Sequence, residues 1–195
     1  ITRISGVREV KQTFLIICEG VNTEPDYFNA FRLTSANVKA VGQGMGTLTL
    51  VQKAINIKEQ EKRKGRIYNQ NWVVFDKDDF PENDFNSAIL LAQQNGFEVA
   101  YSNQAFEFWF LLHFNLYQGA LHRSRYEKML STLLGFSYTK KSGVSSKMFN
   151  ALFSKQEQAI NHAKTIMKQF DGNNPAQQES STTVYLLVEE LNKFL

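Results

Sequence analysis

Short apolar segments alternate with amphipathic segments along the first half of the chain. The first, 13–18, is a continuous apolar run of strand length, which is typical of a strand covered on both faces of a parallel sheet. Three further segments of strand length follow at 37–42, 72–75 and 97–102. The intervals between them carry apolar residues at helical spacing. We therefore predict four strands joined by three helices.

Capping residues mark the ends of the three predicted helices. Thr23 and Thr47 are suited to cap the first and second helices, and Gly96 to close the third. Strands that alternate with helices favour right-handed crossovers and a parallel sheet. The predicted fold is therefore α/β and Rossmann-like, with a mainly parallel four-stranded sheet that has helices on both faces.

The pattern changes after Asn103. The segment 105–114 is apolar all round and predicts a buried helix, and later apolar stripes also have helical spacing. The polar segment 171–181 is predicted to be a loop. We accordingly divide the chain into an α/β core, 1–103, and a helical C-terminal extension, 104–195, that packs on the core.

Composition limits the functional classes only loosely. The 195 residues are 43% hydrophobic and 21% charged, which is ordinary for a globular protein, and a net charge of +3 permits a polyanionic partner without requiring one. The single cysteine, Cys18, excludes an internal disulfide and lies in an apolar run, so we expect a buried thiol. No stretch approaches the ~20 apolar residues of a membrane span, and 1–12 has no apolar signal core. We expect a cytoplasmic protein with no membrane partner.

Acidic residues follow two of the predicted strands. Glu19 comes directly after the first strand, and Asp76 and Asp78 follow the third. Because ligands bind beyond the carboxyl ends of parallel strands, we expect these acids to converge at one edge. In a stretch that is still extended, Asp76 and Asp78 would point the same way, and Asp79 would either point elsewhere or cap the next helix.

A cluster of carboxylates needs a counter-charge. Two unit charges ~4 Å apart interact by about 4 kcal/mol at an effective dielectric constant of 20, and a raised pKa or a bound cation relieves the repulsion. Oxygen ligands favour Mg²⁺ or Mn²⁺ over zinc, and such an ion suits phosphodiester chemistry. For each acid alone, a helix cap is the alternative. Glu24 stays open between a site residue and a first-turn acid that favours the helix dipole.

Four segments, taken together and in order, resemble the RloB family, which comprises bacterial proteins with a Toprim-type catalytic domain from phage-defence and restriction loci. The segments are ICEGVNTEPDYF (17–28), VFDKDDFP (74–81), AYSNQAFEFWFLLHF (100–114) and SSTTVYLLVEEL (180–191). The Toprim pattern, a Glu after the first strand and Asp-x-Asp after the third, matches Glu19, Asp76 and Asp78. The resemblance implies a Toprim-like core that binds a divalent metal ion through these acids.

The resemblance also implies an activity and partners. It points to a Mg²⁺-dependent endonuclease in antiviral defence and abortive infection. The substrate would be nucleic acid: either DNA, or RNA such as tRNA. It implies a partner ATPase of the AAA or ABC type, and an oligomer is possible. The alternative is a non-catalytic effector or regulatory subunit that binds an ATPase or another macromolecule.

Further candidates lie in the second half of the chain. Glu107 is in the most apolar predicted helix, where a buried acid needs a partner, so it either joins the catalytic acids or bonds to backbone amides or His113. Ser102 and Asn103 end the fourth strand, where they could contact substrate or cap the next helix.

Two short basic segments are candidates for contacts with phosphates, with solvated surface as the alternative for each. Their candidate residues are Arg123, Arg125, Lys140 and Lys141.

Overall fold

A computed structural model describes residues 11–141 and 143–195 of the chain, so the start of the predicted core lies outside the described residues. The strands are β1 Gln12–Cys18, β2 Ala36–Gly42, β3 Gln70–Asp76, β4 Glu98–Asn103 and β5 Ser181–Thr182. The α-helices are α1 Thr23–Asn29, α2 Thr47–Arg63, α3 Glu82–Gln94, α4 Glu107–Leu111, α5 Tyr126–Leu134, α6 Val144–Leu152, α7 Gln156–Met167 and α8 Val184–Asn192. Single 3₁₀ turns span Arg123–Arg125, Phe153–Lys155 and Pro175–Gln177.

The strands form one sheet in the order β2-β1-β3-β4-β5. The first four are parallel, and Ile16 of β1 lies opposite Ala40 of β2 and Trp72 of β3. This confirms an α/β fold with a mainly parallel sheet. The predicted number of four strands is wrong, because β5 adds a fifth, antiparallel strand with Thr182 opposite Ser102. β5 has two residues, both polar, so the segment carries no hydrophobic period that would distinguish it from a loop.

Helices cover both faces of the sheet, as predicted. Along β1 the side chains alternate, so that Phe14 and Ile16 enter one core and Leu15 and Ile17 enter the other. The smaller core is closed by α2 and α3, and the larger by α1 and the helices from α4 onward. Burial on both faces explains why the strand is continuously apolar, since each such side chain contributes about 1.5–3 kcal/mol when fully buried.

The larger core is centred on aromatic rings. Tyr27 lies edge-on to several rings, including Phe28, Phe106 and Phe110 at centroid distances of 5.2, 5.9 and 5.4 Å. Its hydroxyl oxygen accepts a hydrogen bond from Trp109 Nε1 at 3.0 Å. These contacts join α1, from the first half of the chain, to α4, from the second. Helix α4 therefore packs against α1, while the division of the chain at residue 103 stays a prediction.

Two local predictions need correction. Thr23 and Thr47 do not cap their helices: each is the first helical residue, about 5% exposed, and the N-caps Asn22 and Gly46 make no capping side-chain bond. Gly96 does follow the end of α3 in a left-handed conformation, with φ of 73°.

The predicted helix 105–114 is shortened to the five residues of α4. Tight turns flank it, in which Phe108 N–H donates to Ala105 O at 3.0 Å and His113 N–H to Phe110 O at 3.2 Å. Among the helices of residues 11–141 and 143–195, none combines the length and apolarity needed to cross a membrane.

The outer edge of the sheet at β2 is partly closed by a side chain. The amide of Asn29 receives a hydrogen bond from Ala40 N–H at 3.1 Å and donates one to Ala40 O at 3.0 Å. Next to it, Lys39 places a charged group on the strand and pairs with Glu61 at 3.1 Å. Asn29 therefore satisfies backbone groups that face away from β1.

We predict that Tyr27→Phe lowers the free energy of unfolding by about 1–3 kcal/mol, because it leaves the buried Trp109 N–H without an acceptor. Urea denaturation measures this. Tyr185→Phe is the control, since the Tyr185 hydroxyl makes no hydrogen bond to the described residues, and it should change stability by under about 0.5 kcal/mol. Equal losses in both variants would contradict the expectation.

Candidate metal and catalytic site

Two of the predicted acids meet at the carboxyl edge of the sheet. Glu19 follows β1 by one residue, and Asp76 is the last residue of the neighbouring strand β3. The Asp76 N–H donates to Glu19 Oε2 at 2.8 Å, while Glu19 N–H donates to Val74 O at 2.9 Å. The parallel register thus sets the two carboxylates side by side.

Asp76 is a buried acid at this edge. Its residue is 8% exposed, and its Oδ2 accepts a hydrogen bond from Phe106 N–H at 3.1 Å. Its Oδ1 is buried and has no hydrogen-bond partner among the described residues. Burial, followed by the charges of Glu24 and Glu19, raises the pKa of Asp76 well above its usual range. A buried carboxylate oxygen of this kind needs a proton or a cation.

Glu24, which the sequence left open, belongs to the cluster. It is 4% exposed, and its Oε1 accepts from Gly20 N–H at 3.1 Å. A Cβ at Gly20 would lie 2.0 Å from Glu24 Oε2, so the close approach requires glycine. Burial, with a contribution from the charge of Glu107, raises the pKa of Glu24 to about 7.

The Glu19 carboxylate is half-buried and held by its surroundings. Burial, and then the charges of Asp78 and Glu24, raises the pKa of Glu19 to about 7, against the hydrogen bond from Asp76 N–H, which lowers it. A Cβ at Gly46 would lie 2.7 Å from Glu19 Oε1. The same Cβ would lie 2.3 Å from the Phe80 ring, so the glycine before α2 lets the chain pass close to both side chains.

Asp78 reaches the site by a turn. The chain is no longer extended there, since Asp78 has φ of 41°, so strand alternation does not place its side chain. Its N–H donates to Gln104 O at 3.0 Å, and its carboxylate forms an ion pair with Arg123. Asp79 does not cap α3 as predicted; it also pairs with Arg123, and the N-cap of α3 is Pro81.

Glu107 has partners that the sequence did not indicate. It is 2% exposed, and its Oε1 accepts from Tyr138 Oη at 3.0 Å and pairs with Lys140 Nζ at 3.2 Å. The proposed contact with His113 is wrong, since His113 Nδ1 bonds to Trp109 O at 2.9 Å. Tyr138 was not predicted as a site residue, because it lies in a loop that contains no motif. Burial and the charge of Glu107 raise the pKa of Tyr138, so its hydroxyl stays a hydrogen-bond donor.

A cavity of about 420 Å³ opens beside the acids. Asp78 and Glu107 lie on its wall together with Arg123 and Lys140. Burial opposes ionisation of Lys140, but the charge of Glu107 outweighs it and the pKa of Lys140 is raised. Two of the four predicted basic residues thus lie next to the acids. Arg125 and Lys141 are exposed and stay predictions.

Ser102 and Asn103 serve the fold. Their residues are 1% and 3% exposed. Ser102 Oγ shares a hydrogen bond with Thr182 Oγ1 at 2.9 Å, and Asn103 Nδ2 donates to Ala176 O at 2.9 Å. These side chains attach β4 to the segment that leads into β5, and their role as substrate contacts stays a prediction.

The chemistry of the donor set fits a hard dication. The ligands on offer are carboxylate oxygens, one of them the unpartnered Asp76 Oδ1, and oxygen-only sites suit Mg²⁺ or Mn²⁺. In the described part of the chain, however, no three acidic, histidine or cysteine side chains are already arranged to hold an ion. The Asp78 carboxylate is already paired with Arg123 through its Oδ1.

The chain belongs to the RloB-like protein family, because residues 14–191, nearly its whole length, match that family. This confirms the resemblance seen in four separate segments of the sequence. No curated protein and no solved structure matches the chain.

We predict that, in EDTA, the free energy of unfolding falls as the pH rises from about 4.5 to 7. The pKa of Glu24 is 4.5 ordinarily and about 7 in the fold, so the folded protein holds a proton that the unfolded chain releases. The stabilisation by protonated Glu24 is complete below the ordinary pKa of 4.5 and is lost as the pH rises through the folded-state pKa of about 7. It amounts to on the order of 1–3 kcal/mol.

Urea denaturation across this pH range measures the effect. Glu24→Gln should reduce the pH dependence without abolishing it, because the pKa values of Glu19 and Asp76 are also raised. Glu98→Gln, which replaces an exposed acid at the opposite end of β4, should leave it unchanged. Stability that rises with pH in this range would contradict the assignment.

Proposed function

We propose that this protein is a divalent-metal-dependent endonuclease of the Toprim type, with Glu19, Asp76 and Asp78 as ligands of Mg²⁺ or Mn²⁺. The observation that carries the proposal is the buried Asp76 Oδ1, which lies in a cluster of acids and has no hydrogen-bond partner in the part of the chain that the structure describes. Its pKa is raised by burial and by neighbouring acids, and a dication would remove both costs. Membership of the RloB-like family supports the same assignment.

Different residues of the chain have different roles in the proposed hydrolysis of a phosphodiester. A bound dication would supply positive charge to the phosphate and to a water molecule. Glu19 is fixed through Oε2, which leaves Oε1 to accept a proton as the water oxygen bonds to phosphorus. The bond from phosphorus to the leaving oxygen then breaks, that oxygen takes up a proton from solvent, and Glu19 releases its proton to solvent. We assign Glu107 to position Lys140 at the cavity, since it pairs with Lys140 Nζ at 3.2 Å.

The biological setting is part of the proposal. From family membership we propose a role in anti-phage defence together with an ATPase of the AAA or ABC type. The proposed substrate is nucleic acid. Cleavage of DNA is to be compared with cleavage of RNA, for example tRNA. The basic residues beside the acids, Arg123 and Lys140, support a phosphate-bearing substrate of either kind.

A second candidate is a non-catalytic effector that binds an ATPase or another macromolecule. One observation favours it: among the described residues, no three acidic, histidine or cysteine side chains are arranged to hold a metal ion. In that case protons alone, and no metal ion, would neutralise Glu19 and Glu24, whose pKa values are raised to about 7. Activity and metal binding separate the two candidates.

We predict that Glu19→Gln reduces cleavage by about a hundredfold or more. The amide oxygen can still accept the hydrogen bond from Asp76 N–H, so the fold should survive while the ligand charge and the proton acceptor are lost. The assay incubates the protein with tRNA, single-stranded RNA or plasmid DNA in Mg²⁺, Mn²⁺ or EDTA. Glu98→Gln is the control and should cleave at the wild-type rate. Full cleavage by Glu19→Gln would refute the catalytic assignment.

We predict that Mn²⁺ raises the thermal unfolding midpoint at pH 8 and does so less at pH 5.5. At 100 times the dissociation constant, binding adds about 2.7 kcal/mol, or on the order of 5–10 °C for a chain of this size. Protons compete with the ion for the ligand Glu19 below its pKa of about 7, and protonation of Glu24 in the same range removes negative charge beside the ion, which explains the weaker effect in acid. Differential scanning fluorimetry measures the midpoint. Asp76→Asn should abolish the shift, and an undiminished shift in this variant would exclude Asp76 as a ligand.

A further inference from the structure

Asp78 is the acid of the cluster whose carboxylate is held by an arginine. Arg123 forms ion pairs with both Asp78 and its neighbour Asp79. The side chains of Asp78 and Arg123 are 33% and 30% exposed, so the pair lies at the mouth of the site. By contrast, Asp76 and Glu24 accept hydrogen bonds from backbone N–H groups. Among Asp76, Asp78 and Glu24, therefore, Asp78 is the acid whose contact with Arg123 can be broken by movement of a side chain.

The two backbones that carry this pair are fixed by the same residue. Gln104 O accepts from Asp78 N–H at 3.0 Å, and Gln104 Oε1 accepts from Arg123 N–H at 2.8 Å. Arg123 also begins the 3₁₀ turn Arg123–Arg125, which constrains its main chain. The guanidinium, at the end of a long and partly exposed side chain, can move while both backbones stay in place.

A dication at the proposed site needs an oxygen of Asp78, and Arg123 contacts that carboxylate. Two cations on one carboxylate repel each other, so each weakens the binding of the other. The cavity of about 420 Å³ beside the pair has Arg123 on its wall and Lys140 also on its lining. A planar guanidinium presents paired N–H donors that match two oxygens of a phosphate group.

We propose that Arg123 and the divalent cation compete for Asp78, and that the displaced guanidinium, together with Lys140, binds a phosphate group of the nucleic acid in this cavity. This rests on the proposed function. In this arrangement the metal ion releases a phosphate-binding group, so metal and nucleic acid strengthen each other's binding. Linkage requires that the enhancement be equal in both directions.

A static role for Arg123 makes the opposite prediction for metal affinity. If the ion pair only braces the turn at Asp78, its removal loosens a ligand and weakens metal binding. If Arg123 competes with the metal, its removal frees Asp78 and tightens metal binding. The sign of the change therefore distinguishes the two roles without any measurement of cleavage.

The first experiment titrates wild-type protein, Arg123→Gln, Arg123→Lys and Arg125→Gln with Mn²⁺, using the electron paramagnetic resonance signal of free Mn²⁺. We expect the Mn²⁺ dissociation constant to fall about fivefold or more in Arg123→Gln. Arg123→Lys, which keeps the charge, should stay closer to wild type. Arg125→Gln removes the same charge two residues away and should stay within about twofold. Circular dichroism establishes that each variant is folded.

The second experiment measures fluorescence anisotropy of end-labelled single-stranded RNA and DNA in Ca²⁺ or in EDTA, with intact oligonucleotide verified on a gel. Ca²⁺ should tighten binding to wild type about fivefold or more, and this gain should disappear in Arg123→Gln. Equal or weaker Mn²⁺ binding by Arg123→Gln, with wild type still binding Mn²⁺, overturns the competition and leaves the proposed metal site standing. If no protein binds Mn²⁺, the proposed metal site fails and the competition with it.

Discussion

The burial of the Asp76 carboxylate beside other acids is the constraint around which the site is organised. One oxygen accepts the N–H of Phe106, which ties the turn before α4 to the end of β3. The Asp76 N–H in turn fixes Glu19. Each bond serves the fold and orients an acid, so the positions of β1, β3 and α4 are set by groups that also gather negative charge. Gly20 and Gly46 complete the arrangement, because only a residue without a Cβ lets the backbone approach Glu24 and Glu19 this closely.

The charges at the site come from different parts of the chain. The acids at the sheet edge lie in the first half, whereas the cations near them, Arg123 and Lys140, lie in the second. The same two parts share the larger core, where Tyr27 of α1 meets Trp109 of α4. The balance of charge at the site therefore exists only when the helical extension is packed on the sheet. This makes the extension part of the site as well as a cover for the core.

Much of the architecture follows from local pattern. The four parallel strands agree with the predicted segments to within two residues at each end, because burial on both faces produces unbroken apolar runs. The convergence of Glu19 and Asp76 follows from the topology of a parallel sheet. Other features depend on tertiary contacts that leave no periodic trace. β5 is two residues long, Tyr138 reaches Glu107 from a loop, and Asp78 sits in a left-handed turn that alternation cannot describe.

The closure of the sheet at its β2 edge has a consequence for how the protein meets other molecules. An unprotected edge strand is a template for a strand from another chain. Here the Asn29 amide already occupies the N–H and C=O of Ala40, and the charge of Lys39 lies beside it. At the other side, β5 pairs with the end of β4. Addition of a strand from another protein is thereby hindered at Ala40, near the middle of the β2 edge.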